Sequence, residues 1–97
     1  MGATEFLITS HGSSAEEAFG RAVEEARYES GHCGYTGTIA EKVKFKMVNV
    51  PKGKDPVQFA EDILYEDDEH WCQDKWGPAA CIKLSDDKYL FFGVASS

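Results

Sequence analysis

Two apolar segments on either side of a polar turn constrain this sequence more than any other feature. Residues 79–84 (AACIKL) and 89–94 (YLFFGV) flank the polar stretch 85–88 (SDDK), which is the pattern of a β-hairpin. In the second segment both alternating sets of side chains are apolar, and such a strand is usually central in its sheet or covered on both faces. The rest of the chain must therefore supply strands and helices that surround the hairpin.

Two amphipathic helices are predicted from their N-terminal signals. The serines at 13–14 are each followed three residues later by glutamate, as in a capping box. Apolar side chains then recur at helical spacing from Ala15 to Ala26, and we expect this helix to end near residues 30–31. Asp55 is a good N-cap, and Pro56 stands where the first residue of a helix belongs. We expect the second helix to end near Tyr65, because the acidic residues that follow it are unfavourable at a helix C-terminus.

Two further strands are predicted from residue type and alternation. Residues 4–10 (TEFLITS) are rich in β-forming side chains. Lysine alternates with apolar residues from 42 to 47, within a stretch expected to be extended over 38–50, so the lysines should share one exposed face. Such lysines either protect a sheet edge from aggregation or contribute to a ligand site.

The resulting element order, β-α-β-α-β-β, predicts a single α+β domain that spans residues 1–97. The length is typical of one domain, and six Phe, four Tyr and two Trp supply ample core material. We expect a four-stranded, mostly antiparallel sheet with two helices on one face, because that arrangement packs the elements most economically.

The negative charge of the chain is confined to its second part. Residues 1–54 carry equal numbers of acids and bases, whereas residues 55–97 carry ten acids and three bases, which gives the net charge of −7. Such a surface repels phosphate backbones, so we expect no nucleic-acid partner. The acids either solvate the surface or attract a basic protein.

The compartment is predicted from the cysteines and the apolar pattern. Three cysteines are an odd number and do not indicate a disulfide framework. The N-terminal residues lack the basic and apolar regions of a secretory signal, and no apolar stretch approaches the ~20 residues of a membrane span. We therefore expect a cytoplasmic protein with reduced thiols and no membrane partner.

Two histidine–cysteine pairs provide the alternative of a metal site or a small enzyme. His32 and Cys33 together with His70 and Cys72 would supply two nitrogens and two sulfurs, a set that zinc accepts. Their spacing matches no known zinc motif, and no neighbouring residues indicate a general base or an oxyanion hole for a cysteine nucleophile. Cys81 is predicted to be buried in a strand. The leading hypothesis therefore assigns no catalytic residue, no metal and no cofactor.

An acidic run at the end of the second predicted helix is the leading candidate for a binding surface. Six acids occupy nine positions from 61 to 69, which creates a field that would steer a basic partner. The alternative is a solvated helix end without a binding role. The predicted contact surface consists of Asp62, Glu66, Asp67, Asp68, Glu69 and Trp71.

Four aromatic residues in the second half of the chain allow two interpretations. Tyr65, Trp71, Trp76 and Tyr89 are of the types enriched at protein interfaces. They are equally suited to cover a small core, and we favour core packing for the group.

Three segments resemble a group of small uncharacterised proteins encoded by actinobacterial phages and some of their hosts. The segments are residues 34–42 (GYTGTIAEK), 74–82 (DKWGPAACI) and 90–97 (LFFGVASS). The resemblance carries no activity or catalytic residues. It implies a phage accessory protein made in the host cytoplasm, and such proteins often bind a host protein.

The leading hypothesis is a small acidic protein-interaction module that is not an enzyme. Its partner is expected to be a protein of unknown identity. The alternatives are the metal-binding or enzymatic domain described above and a structural homo-oligomer. A homodimer would bring together two patches of opposite charge. They are the acidic run and the lysine cluster near the second strand, which consists of Lys42, Lys44, Lys46, Lys52 and Lys54.

Overall fold

The computed structural model describes residues 2–30, 38–67 and 69–96. A four-stranded sheet has the order β1-β4-β3-β2, in which β4 is antiparallel to both β1 and β3, and β2 is parallel to β3. The predicted α+β fold, with four strands, two helices and mostly antiparallel pairing, is confirmed. The elements are β1 (Ala3–His11), α1 (Ala15–Ser30), β2 (Phe45–Met47), α2 (Pro56–Glu66), β3 (Ala79–Ser85) and β4 (Lys88–Ser96), with 3₁₀ turns at Ile39–Glu41 and Trp71–Gln73.

Both helices begin where the sequence predicts, and for the predicted reason. The Glu17 N–H donates to Ser14 Oγ at 3.2 Å, and the Glu17 carboxylate in turn accepts from the Ser13 N–H at 3.1 Å. The Ser13 N–H and the Ser13 hydroxyl both donate to the Glu17 carboxylate, and these two bonds, with a smaller contribution from Arg21, lower the pKa of Glu17. At α2 the Asp55 carboxylate accepts from the Gln58 N–H at 3.2 Å, which satisfies one of the free N–H groups of the first turn.

The two helices cover opposite faces of the sheet, so the expectation of both on one face is wrong. Phe91 of β4 packs in a core cluster with α1, whereas its neighbours Leu90 and Phe92 pack in a second cluster with α2. Successive side chains of a strand point to opposite faces. A central strand that is apolar on both sides therefore requires one helix on each, and the apolar character of β4 is the sequence feature that indicated this.

The second strand is much shorter than the extended stretch predicted for residues 38–50. A 3₁₀ turn occupies Ile39–Glu41, and β2 comprises only Phe45–Met47. The prediction that Lys42 lies on an exposed face is also wrong, because Lys42 is 3% exposed while Lys44 and Lys46 are exposed. Lys42 is the residue on which the 3₁₀ turn ends, so it precedes the strand and does not share its alternation.

Two glycines are required by the close approach of neighbouring elements. A Cβ at Gly12 would lie 2.6 Å from the backbone nitrogen of Ala18, so only glycine lets the β1–α1 turn sit against the first turn of α1. Gly93 in β4 has φ +155° and faces the ring of Phe6 and the carbonyl of Cys72. A side chain there would be strained in the backbone as well as crowded.

Candidate functional site

The acidic run forms the C-terminal end of α2 and the turn beyond it. Glu66, Asp67 and Glu69 are exposed, and Asp62 is partly buried one turn earlier, where it accepts a hydrogen bond from Gln58 Nε2 at 2.9 Å. Within the described residues, none of these four carboxylates forms an ion pair with a lysine or arginine. Asp68, the remaining acid of the predicted surface, lies outside the described residues.

Gln73 holds the end of α2 in place. Its side-chain amide donates to the backbone carbonyls of Ile63, Leu64 and Asp67 at 3.0, 3.0 and 3.1 Å. The last carbonyls of a helix have no partner within the helix, and α2 has no basic residue in its last turn to provide one. The carbonyls of Ile63 and Asp67 also accept backbone N–H groups, and the Gln73 amide adds a donor to all three. Because this amide is neutral, it leaves the negative charge of the helix end uncompensated.

The four aromatic residues singled out in the sequence divide between the core and the surface. Tyr89 is buried at 5% exposure, and Trp71 is partly buried against the α2 core cluster. Core packing is therefore confirmed for Tyr89. It is wrong for Tyr65 and Trp76, which are each 64% exposed. Because Tyr65 belongs to the last turn of α2, its ring lies on the same helix end as the acids.

Trp71 is predicted to contribute to binding, and the structure shows what surrounds it. The ring centroids of Trp71 and His70 are 4.8 Å apart, and the Lys46 ammonium lies 5.7 Å from the centroid of the indole. This is a cation–π distance. The indole thus joins the α2 cluster to the exposed lysine of β2, and it leaves only part of its surface for a partner.

Lys42 anchors the connector between α2 and β3 from inside the protein. Its ammonium donates to the backbone carbonyls of Asp74, Lys75 and Gly77 at 3.2, 3.3 and 2.9 Å. Burial lowers the pKa of Lys42, against the attraction of Asp74 and Cys72. All three protons of the ammonium are used, so this lysine serves structure and is not a free nucleophile.

His70 and Cys72 form a hydrogen bond with each other that stabilises a local turn. His70 Nδ1 accepts from the Cys72 N–H at 3.1 Å and so caps the short 3₁₀ turn. His32 and Cys33, the other half of the predicted metal set, lie outside the described residues. Within the described ranges, no three His, Cys, Asp or Glu side chains are grouped so that they could hold a metal ion.

The two described cysteines are poor nucleophiles in this environment. Both Cys72 and Cys81 are free and have no exposed surface. Burial is the main cause that raises the pKa of Cys72 to about 11 and that of Cys81 to about 12. Since the thiolate is the reactive form, neither thiol is activated at neutral pH, and the prediction of a buried Cys81 is confirmed.

A cavity of about 290 Å³ lies between β1 and α1. It is lined mainly by apolar side chains, with the carboxylates of Glu25 and Glu29 as its charged groups. Among the described lining residues there is no histidine, cysteine or lysine, so this part of the lining does not place a nucleophile beside a base.

The fold and the exposed surface together define a small α+β protein with an acidic, aromatic helix end. In the described part of the chain, no helix has the length and apolar character needed to cross a membrane. No protein-family model, curated protein or solved structure matches the chain.

Proposed function

We propose that this protein is a small interaction module that binds a positively charged partner protein through the C-terminal end of α2. The observation that carries the proposal is the exposure of Tyr65 among acids that have no described basic partner. Acids whose charge is not balanced within the molecule remain available to a lysine or arginine of another protein. A large exposed aromatic ring beside them supplies apolar contact area.

The electrostatics of the helix end support this choice. The carboxylates of Glu66 and Asp67 lie where the helix dipole already contributes partial negative charge. The acids and the dipole therefore add, and the local field speeds the approach of a basic surface. Tyrosine is also among the residue types that most often contribute large shares of binding energy.

The backbone around this surface is fixed by side-chain hydrogen bonds. Gln73 holds the last carbonyls of α2, and Lys42 holds the connector that follows. A surface that is ordered before binding loses less entropy when the complex forms. The resemblance to phage and host proteins suggests the setting: an accessory protein in the bacterial cytoplasm, with a host protein as the partner.

Charge reversal at the helix end tests the proposal. We would reverse Glu66→Lys, Asp67→Lys and Glu69→Lys together, and use the wild-type chain as bait in a lysate of the natural host. Partners would be identified by mass spectrometry and their affinities measured with purified proteins. We expect the triple variant to lose the partner, and we expect added salt to weaken wild-type binding because salt screens the attraction.

A matched control changes the same number of charges elsewhere. Glu24, Glu25 and Glu29 are exposed on α1, so their reversal to lysine shifts the net charge equally without altering the end of α2. Circular dichroism would establish that both variants are folded. Retention of the partner by the α2 variant, or an equal loss with the α1 variant, would show that the α2 surface is not the binding site.

The metal-binding alternative has an independent test. Elemental analysis of the purified protein would reveal stoichiometric zinc if His32, Cys33, His70 and Cys72 bound it. The protonated, buried thiol of Cys72 argues against this alternative.

A further inference from the structure

The two edges of the sheet are protected to very different degrees. The β2 edge is three residues long and is accompanied by exposed lysines at 44 and 46, which are ordinary devices against edge-to-edge pairing. The β1 edge is nine residues long, contains no proline or lysine, and pairs with β4 without a bulge. Among the described residues, no strand pairs with its outer side.

We propose that β1 pairs antiparallel with β1 of a second copy, which joins two four-stranded sheets into one sheet of eight strands. The two-fold axis passes midway between the Leu7 residues of the two copies, and Leu7 is the middle residue of Ala3–His11. This is the register in which all nine residues of each strand take part. Every outward backbone N–H and C=O group of the edge then has a partner.

The sequence of β1 is complementary to itself in this register. Phe6 of one copy lies opposite Ile8 of the other, on the face that packs against α1. Leu7 lies opposite Leu7 on the α2 face. Ile8 and Leu7 are only partly buried in the monomer, so the pairing covers apolar surface and continues both core clusters across the interface.

The charges of β1 fit the same register. Glu5 is the only formally charged side chain of the strand, and it lies opposite Thr9 of the other copy. No two like charges face each other directly, a situation that would destabilise the pair. Glu5 and Thr9 are both exposed, so the contact between them can be changed without disturbing the core of the monomer.

The net charge of the chain opposes any association of two copies. Each copy carries −7, and the carboxylates of Glu25 and Glu29 line the cavity beside β1. Added salt screens this repulsion, so we expect the dimer to tighten as the salt concentration rises. This is the opposite of the salt dependence expected for a basic partner, and the two interactions are therefore distinguishable.

Substitutions at Thr9 test the pairing through its two-fold symmetry. Thr9→Glu places a carboxylate opposite Glu5 twice in each dimer, and we expect about tenfold weaker dimerisation by sedimentation equilibrium. Thr9→Lys creates two opposite-charge pairs and should strengthen the dimer by a similar factor. The double variant Glu5→Lys/Thr9→Glu exchanges the charges and should restore the affinity lost in Thr9→Glu.

Thr4→Glu is the matched control, because Thr4 is exposed on the same strand but lies opposite Ser10 in this register. It adds the same charge and should weaken the dimer less than Thr9→Glu. A wild-type chain that stays monomeric over the whole concentration series would overturn the proposal. A dimer that responds equally to Thr4→Glu and Thr9→Glu, or is not restored by the charge exchange, would show that the copies meet elsewhere.

Discussion

The ammonium of Lys42 donates a hydrogen bond to the carbonyl oxygen of Gly77 at 2.9 Å, across 35 positions of the sequence. The same ammonium also holds the carbonyls of Asp74 and Lys75. The segment before β2 and the segment before β3 are thereby fixed to each other at the start of the only parallel strand pair among the described strands. One buried cation thus organises a connector that has little regular structure of its own.

Replacement of Lys42 should therefore destabilise the protein. Lys42→Met keeps most of the side-chain volume but removes the ammonium donor from three carbonyls, of which that of Asp74 keeps the Gly77 N–H. We therefore expect the free energy of unfolding to fall by about 1–3 kcal/mol. Urea denaturation measures this change. Lys44→Met is the control, since Lys44 is exposed and its side chain forms no ion pair or hydrogen bond with any of the described residues. An equal effect of the two substitutions would contradict the anchoring role of Lys42.

The hydrogen bonds of Gln73 at the end of α2 can be tested in the same way. Gln73→Ala removes the amide that donates to three backbone carbonyls, of which those of Ile63 and Asp67 keep a backbone N–H partner. We expect a loss of about 1–2 kcal/mol in the free energy of unfolding. Hydrogen exchange should show faster exchange in the last turn of α2. Gln58→Ala, which removes only an exposed bond to Asp62, should change stability by less than about 0.5 kcal/mol.

Two glycines should respond to alanine in opposite directions. Gly12→Ala forces a Cβ to within 2.6 Å of the Ala18 nitrogen, and we expect a destabilisation of about 1–3 kcal/mol. A Cβ at Gly20 meets no atom within 4 Å. Because Gly20 lies inside α1, Gly20→Ala should stabilise the protein by about 0.5–1 kcal/mol. Thermal denaturation of both variants would show whether one is destabilised and the other stabilised. A stabilised Gly12→Ala variant would contradict the close contact between Gly12 and the Ala18 backbone.

The buried thiols should make the protein less stable at alkaline pH. The pKa values of Cys72 and Cys81 are raised from 9.0 to about 11 and about 12. From about pH 9 upward the unfolded chain releases these protons while the native state retains them, so the unfolded state binds fewer protons and the free energy of unfolding falls. The lowered pKa of Lys42 has the opposite effect below pH 10.5, because there the native state releases its proton before the unfolded state does. One lysine can cancel the effect of at most one of the two thiols on the free energy of unfolding.

Urea denaturation between pH 8 and pH 11 would measure this dependence. The double variant Cys72→Ala/Cys81→Ala should be less stable at pH 8, because two buried side chains become smaller. Its stability should nevertheless decline less steeply above pH 9 than that of the wild type. Parallel curves for the two proteins would show that other groups cause the alkaline loss.

Much of the secondary structure could be predicted from residues that act on their near neighbours. Ser14 and Asp55 cap the helices that their positions predict, and the polar turn at 85–88 joins the two expected strands. The acidic end of α2 was likewise visible in the sequence. These features depend on hydrogen bonds and charges within a few residues along the chain, so a local pattern contains the information that decides them.

Only the tertiary structure decided three other features: the burial of Lys42, the exposure of Tyr65 and the placement of the helices. Lys42 resembles its exposed neighbours in sequence, yet it is buried with its ammonium donating to three carbonyls more than thirty positions away. Tyr65 is exposed because α2 turns other residues toward the sheet. The helices lie on opposite faces because Leu90 and Phe91 must both be covered. In each case the partner is distant in sequence, and only the folded chain brings it into contact.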